Sequence, residues 1–158
     1  MAFKDKLWLI GLIGAILALV GAFLPYIGFS TTIMIYTINV FVWLFGFAIM
    51  DIGPYSMGGF VVDPMLMTMF ILLLAGAVLA LIISFLAKKR EDKKVMGIIW
   101  IIAGALILVA MFIPLIQIAV LAGPYVPLGL MPLHVGFYLP LIGGILAIVA
   151  GIGAVAMK

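Results

Sequence analysis

Thr31-Thr32-Ile33-Met34-Ile35-Tyr36-Thr37-Ile38-Asn39-Val40-Phe41-Val42-Trp43 is dense in β-branched and aromatic residues. Such a run favours strands over helix. It overlaps Ile33 to Met50, a stretch apolar enough to tempt assignment as a fifth membrane span. Gly46, Gly53-Pro54 and Gly58-Gly59 then mark turns. The reading is a small antiparallel sheet within residues 26–63, with a re-entrant or interfacial helix as the alternative. An open sheet edge cannot lie in lipid, so this segment must sit above the hydrocarbon or be covered by protein.

The sequence around it is that of an integral membrane protein. Of 158 residues, 69% are apolar and 8% charged. A soluble domain carries about 25% charged residues, and disorder needs low hydrophobicity with high charge, so both classes are excluded. Four apolar runs approach the roughly 20 residues of a membrane helix. They are Leu7 to Leu24, Met65 to Leu86, Val95 to Leu121 and Gly136 to Met157. The third is longer than a bilayer core needs and should tilt, kink or project. Lys4 and Lys6 before the first run imitate a secretory signal, and Gly28-Phe29-Ser30 imitates a cleavage site. The apolar run exceeds a typical signal core, so an uncleaved first helix is expected.

Charge placement favours four spans over five. The eight basic residues are Lys4, Lys6, Lys88, Lys89, Arg90, Lys93, Lys94 and Lys158. With four spans all of them fall on one side, together with Asp5, Glu91 and Asp92, while Asp51 and Asp63 fall on the other. The positive-inside rule makes the basic side cytoplasmic, with both termini there in a multi-pass cell-membrane protein. The net charge of +3 therefore reports topology and not nucleic-acid binding. The fold class expected is an all-α membrane protein: a four-helix transmembrane bundle in one domain, with a β-prone outer segment between helices one and two.

This layout, with Lys94-Val95-Met96-Gly97 and Ala103-Gly104 in the third span and Gly143-Gly144 in the fourth, resembles the claudin and peripheral-myelin-protein tetraspan superfamily. Trp43-Leu44-Phe45-Gly46 echoes that family's Gly-Leu-Trp motif. The family's two loop cysteines have no counterpart, since the chain has no cysteine. The resemblance implies an architecture and transfers no functional residue.

Little in the sequence carries chemistry. Without cysteine there is no disulfide, thiolate metal site or Cys nucleophile. The spans contain Thr68, Ser84 and Gln117 but no central charged residue. An intramembrane ionisable group is the usual mark of a pump, ion-coupled carrier or membrane protease. His134 is the only histidine, and no nucleophile elbow, zinc motif, P-loop or dinucleotide fingerprint is present. Gln117 lies just beyond Pro114, which leaves the Ala110 carbonyl without its helix donor. Helix–helix hydrogen bonding is the expected role of Gln117, ahead of a binding crevice.

Three residue groups are candidates. Met65 and Met69 share one helix face at the outer start of span two, and soft thioethers select Cu(I). With His134 they form a candidate outer copper site, although methionine is also an ordinary packing residue. A lipid-binding or lipid-modifying role would use Asp51, Asp63 and His134, with capping and turn formation the simpler roles for the acids. Lys88, Lys89 and Arg90 form a candidate contact to anionic lipid headgroups.

The third group is structural. Gly143, Ala147 and Gly151 form a small-residue stripe, as do Gly11-Ala15, Ala18-Ala22 and Gly76-Ala80. These allow close helix approach, inside one bundle in preference to a dimer interface. The outer loops are strongly apolar, with Trp43, Phe45 and Tyr125 as interaction candidates. Large apolar patches mark protein or membrane contact. The function expected is a non-enzymatic tetraspan that self-assembles or serves as an accessory subunit, contacting lipid and copies of itself or other membrane subunits. A metal-handling or lipid-handling protein is the alternative.

Overall fold

The computed structural model describes residues 6–33, 35–60, 63–89, 93–122 and 133–156. Among them the chain forms helix α1 (Leu7–Ala22), strands β1 (Ile27–Ile33), β2 (Tyr36–Val42), β3 (Phe47–Ile52) and β4 (Tyr55–Phe60), then helices α2 (Pro64–Lys89), α3 (Lys93–Ala122) and α4 (Val135–Ala156). The fold is thus mostly helical, with one small sheet. Helices α2, α3 and α4 are long and apolar enough to cross a membrane. Helix α1 has 16 residues, about 24 Å at 1.5 Å per residue.

Helix α1 ends at Ala22, two residues short of the expected Leu24. Pro25 follows, and a residue before proline is pushed out of helical conformation. Phe23 and Leu24 instead close a turn, their amides donating to the Val20 and Gly21 carbonyls. Helix α2 starts at Pro64, which suits a first helical position. Asp63 caps it: Oδ1 accepts from the amides of Met65 (2.8 Å) and Leu66 (3.4 Å).

The four helices pack as an antiparallel ring, α1 against α2 and α4, and α3 against α2 and α4. Glycine sets the approach along each seam. A Cβ on Gly14 would lie 2.7 Å from the Gly143 carbonyl oxygen, and one on Gly104 2.6 Å from that of Gly144. A Cβ on Gly151 would lie 2.5 Å from that of Gly97. Gly143, Ala147 and Gly151 are all buried, so this stripe is used up in packing α4 against α1 and α3. It is not a face left open between copies.

The bundle is apolar outside and small-residue inside. Ala15, Ala18, Ala77, Ala80, Ala103, Ala110, Ala147 and Ala150 are fully buried. Ile13, Ile71, Ile98, Ile116, Ile145 and Ile152 are exposed. The largest buried side chain is Trp100, which reaches from α3 across to Gly11 of α1 and Ser84 of α2. Its Nε1 donates to Ser84 Oγ (3.1 Å), which donates to the Ala80 carbonyl (2.7 Å). Every polar group of this interior cluster is therefore satisfied.

The strands form an antiparallel meander in the order β1-β2-β3-β4. The β-rich run proves to be two strands and a hairpin tip, with Ile35 in the turn and 84% exposed. No glycine or proline punctuates that tip, so the sequence hides it. Gly46 and Gly53 do make turns, with φ of 84° and 55°. Gly58 and Gly59, expected in a turn, lie inside β4 opposite Ile49 and Ala48. Extended backbone is open to glycine too, and their missing side chains leave a groove described below.

Candidate functional site

The sheet stands on one end of the bundle, and the described lysines lie at the other. Lys6 precedes α1, and the exposed Lys88 places its ammonium 5.0 Å from the centre of the Trp8 ring. Lys94 lies in the first turn of α3. Arg90, Tyr125 and the side chain of Lys89 lie outside the described residues.

Tyr26 fixes the sheet to the bundle. Its amide donates to the Val42 carbonyl, and its own carbonyl accepts from the His134 amide (3.1 Å). Its hydroxyl donates to the Met111 carbonyl of α3 (2.6 Å). The phenol bonds α3 three residues before Pro114, which has no N–H to offer its own turn. Gln117, expected to hydrogen-bond a neighbouring helix, is half-buried. The hydroxyl that bonds the Met111 carbonyl comes from 85 positions away in sequence, which no local pattern could indicate. Burial pushes the Tyr26 phenol up, and the Leu115 N–H acts in the opposite direction. The phenol thus stays protonated and donating at neutral pH. Tyr26→Phe leaves a buried carbonyl without its donor and is expected to cost roughly 1–3 kcal/mol. Faster hydrogen exchange of the Leu115 amide, with α1 and α4 amides unchanged, is the measurement that checks it.

An aromatic cluster surrounds this anchor. Trp43 lies 5.5 Å from Phe47 and 6.4 Å from Phe45, ring centre to ring centre. Phe45 continues to Phe70 of α2 (5.6 Å), and Phe70 to Phe23 (5.8 Å). Phe47 meets Phe60 edge-on at 5.2 Å. Trp43 and Phe45 are half-buried in this cluster, flanking Leu44, which plugs into the core.

The metal candidates differ in exposure and surroundings. Met69 is buried in the core beneath the sheet, with Leu73, Ile107 and Phe137. Met65 is half-buried behind the Asp63 cap. His134 stands edge-on to Phe41 (5.6 Å), and its carbonyl accepts from the Phe137 amide to begin α4. Its Nδ1 is buried without a partner among the described residues. No group of three or more His, Asp or Glu able to hold a metal occurs among the described residues. Of the acids, Asp63 is engaged in capping and Asp51 is the penultimate residue of β3.

The sheet has two unlike faces, because alternate residues of a strand point to opposite sides. One face carries the row Ser30–Asn39–Asp51–Ser56, one residue from each strand, together with Phe41, Ile49, Phe47 and Phe60. The other carries Val40–Met50–Met57, flanked by Ile38–Ile52–Tyr55 and Val42–Ala48–Gly59. Beside β4 a groove of about 360 Å³ is lined by Val40, Ala48, Met50, Met57 and Gly59 together with Ile49, Gly58 and Phe60. Tyr55 and Met57 are 73% and 69% exposed, so nothing in this chain's described residues covers them. The sequence reading marked the outer segment as apolar but not as two-faced, since the pairing register sorts the residues. Comparison with models of known protein families gives no match to this chain, and comparison with curated proteins gives none either.

Proposed function

We propose that this chain is a four-span membrane protein whose role is assembly: it packs with copies of itself, or joins a larger membrane complex as an accessory subunit, through its sheet. The observation that carries the reading is the distribution of apolar residues. The bundle turns isoleucine, valine and phenylalanine outward and keeps glycine and alanine inside. Lipid is the solvent for which such a surface is suited, and small-residue seams are how helices approach in lipid. The aromatic cluster at the sheet's base fits the headgroup level, where aromatic rings concentrate. Trp8 with Lys88 fits the opposite interface. On this reading the lysine end is cytoplasmic, Lys88 lies at the lipid headgroups, and the sheet is outside.

The apolar sheet face is then an interaction surface in an aqueous compartment, with Trp43 and Phe45 supporting it from below. The succession of helix, sheet and three helices is also the layout of claudin-like tetraspans, held here without a disulfide. The test is to extract the protein with its surrounding lipid in polymer nanodiscs and weigh the intact particle. Several copies, or a defined set of other polypeptides, is the expected result. A single copy alone, with lipid, would refute an assembly role.

A further inference from the structure

We infer that Met50 and Met57 form a binding site for a soft monovalent cation, copper(I) in a biological setting, held between their two thioethers. The β3–β4 hairpin brings the pair together. Met50 lies three residues before Gly53, and Met57 three residues after Pro54. They are direct partners in the strand register. Gly53 has a φ of 55°, and glycine with positive φ at the first central position marks a two-residue hairpin turn, which fixes that register.

The backbone sets their spacing. The Gly53 amide donates to the Thr37 carbonyl, and the Trp43 amide donates to the Phe47 carbonyl. The odd-numbered residues of β3 therefore turn their backbone groups to β2, and Met50 turns its own to β4. Met50 and Met57 are thus a hydrogen-bonded pair, with Cα atoms about 5.5 Å apart and Cβ atoms about 5 Å apart on one face. A metal–sulfur bond is about 2.3 Å in zinc sites, so two sulfurs flanking one ion lie about 4.6 Å apart. The two spacings agree, and the flexible methionine chain takes up the difference.

The donor set selects the ion. Thioethers are neutral and soft, and soft sulfur favours Cu(I) over hard cations. Calcium and magnesium need oxygen donors, and zinc takes imidazole, thiolate or carboxylate. Asp51, the one acid within residues 27–60, belongs to the opposite face. His134 also packs on that opposite face, against Gly28 and Phe41. The groove beside the pair is walled by Val40, Ala48 and Gly59. Apolar walls disfavour a double charge more than a single one, because the cost of desolvating an ion rises steeply with its charge.

The pair is also accessible. Met50 is 42% and Met57 69% exposed. Met65 and Met69 share a helix face, but Met69 is closed into the core. Methionine ordinarily fills apolar space in an interior. Among the described residues, nothing packs over these two thioethers to give them that role. The site does not depend on whether the chain assembles. With the sheet outside, its ion comes from the outer compartment.

Silver(I) is the probe, having the charge and softness of copper(I) without its redox chemistry. The full chain is purified in detergent with isotope-labelled methionine methyl groups, in buffer free of thiol and chloride. Silver nitrate is added while the methyl NMR spectrum is recorded. One silver ion per chain is expected, with the Met50 and Met57 signals shifting together. Copper(I) under ascorbate should shift the same two signals, and zinc should shift neither. Met50→Leu and Met57→Leu keep volume and apolarity. Each should weaken binding by about tenfold or more, because a single neutral thioether remains. Met67→Leu removes an exposed methionine of α2 and should leave binding unchanged. Unshifted signals from the other methionines show that each variant is folded. Full affinity in both sheet variants, shifts confined to Met65 and Met69, an equal response to zinc, or no shift at Met50 and Met57 overturns the inference. Nanodisc masses do not enter this result, so assembly and metal binding stand or fall separately.

Discussion

Gly143→Leu is expected to prevent the bundle from closing. Gly143 and Gly14 face each other across the α1–α4 seam. A Cβ at position 143 would run into the Gly14 carbonyl oxygen and come within 2.9 Å of the Ala18 nitrogen. Both obstacles are backbone, and cannot rotate away as a side chain can. The helices must separate, losing the close approach on which packing in lipid depends. The loss should reach about 3 kcal/mol or more, the upper end for overpacking. Detergent-solubilised protein should show a lower melting temperature and a broadened size-exclusion peak. Ile142→Leu, one residue earlier but exposed, should change stability by no more than about 0.5 kcal/mol. Equal stability of the two variants would mean that the glycine seam does not set the helix spacing.

Trp100→Ala should be comparably damaging, for the opposite reason. Trp100 is 1% exposed and fills the space that Gly11 leaves open. Truncating a buried tryptophan costs about 3–5 kcal/mol through lost contacts and the cavity left behind. The hydrogen bond is the smaller part, since Ser84 keeps its bond to the Ala80 carbonyl. Trp100→Phe should therefore cost much less than Trp100→Ala. A Cβ at Gly11 would lie 2.5 Å from Trp100 Nε1, so Gly11→Leu alone should also destabilise. Combined with Trp100→Ala, the leucine has a cavity to enter, and the pair should be markedly less damaging than the sum of the two. Thermal melts of the four proteins measure this coupling directly.

Much of the architecture was legible in composition and spacing. Apolar run lengths locate the four helices to within a few residues, because their cores have no polar interruption. The i,i+4 spacing of Gly143, Ala147 and Gly151 marks a close helix seam, and the density of β-branched residues at 31–43 marks strands. Asp63-Pro64 marks a helix start, because the carboxylate and the imino acid suit the cap and first position.

The sequence could not indicate which groups meet. The methionine spacing left open a packing role or an outer metal face, and Met69 is buried in the core, where a flexible thioether fills irregular apolar space. Pro114 marked an interrupted turn, but nothing local indicated that the neighbouring Met111 carbonyl accepts from Tyr26, brought there by docking of the sheet. Local sequence determines periodicity, capping and the solvent an element prefers, because these depend on neighbours a few residues apart. Register and docking depend on contacts between distant segments. Tertiary structure alone decided that Met50 and Met57 share one apolar face, and that Asn39 and Asp51 turn away from it.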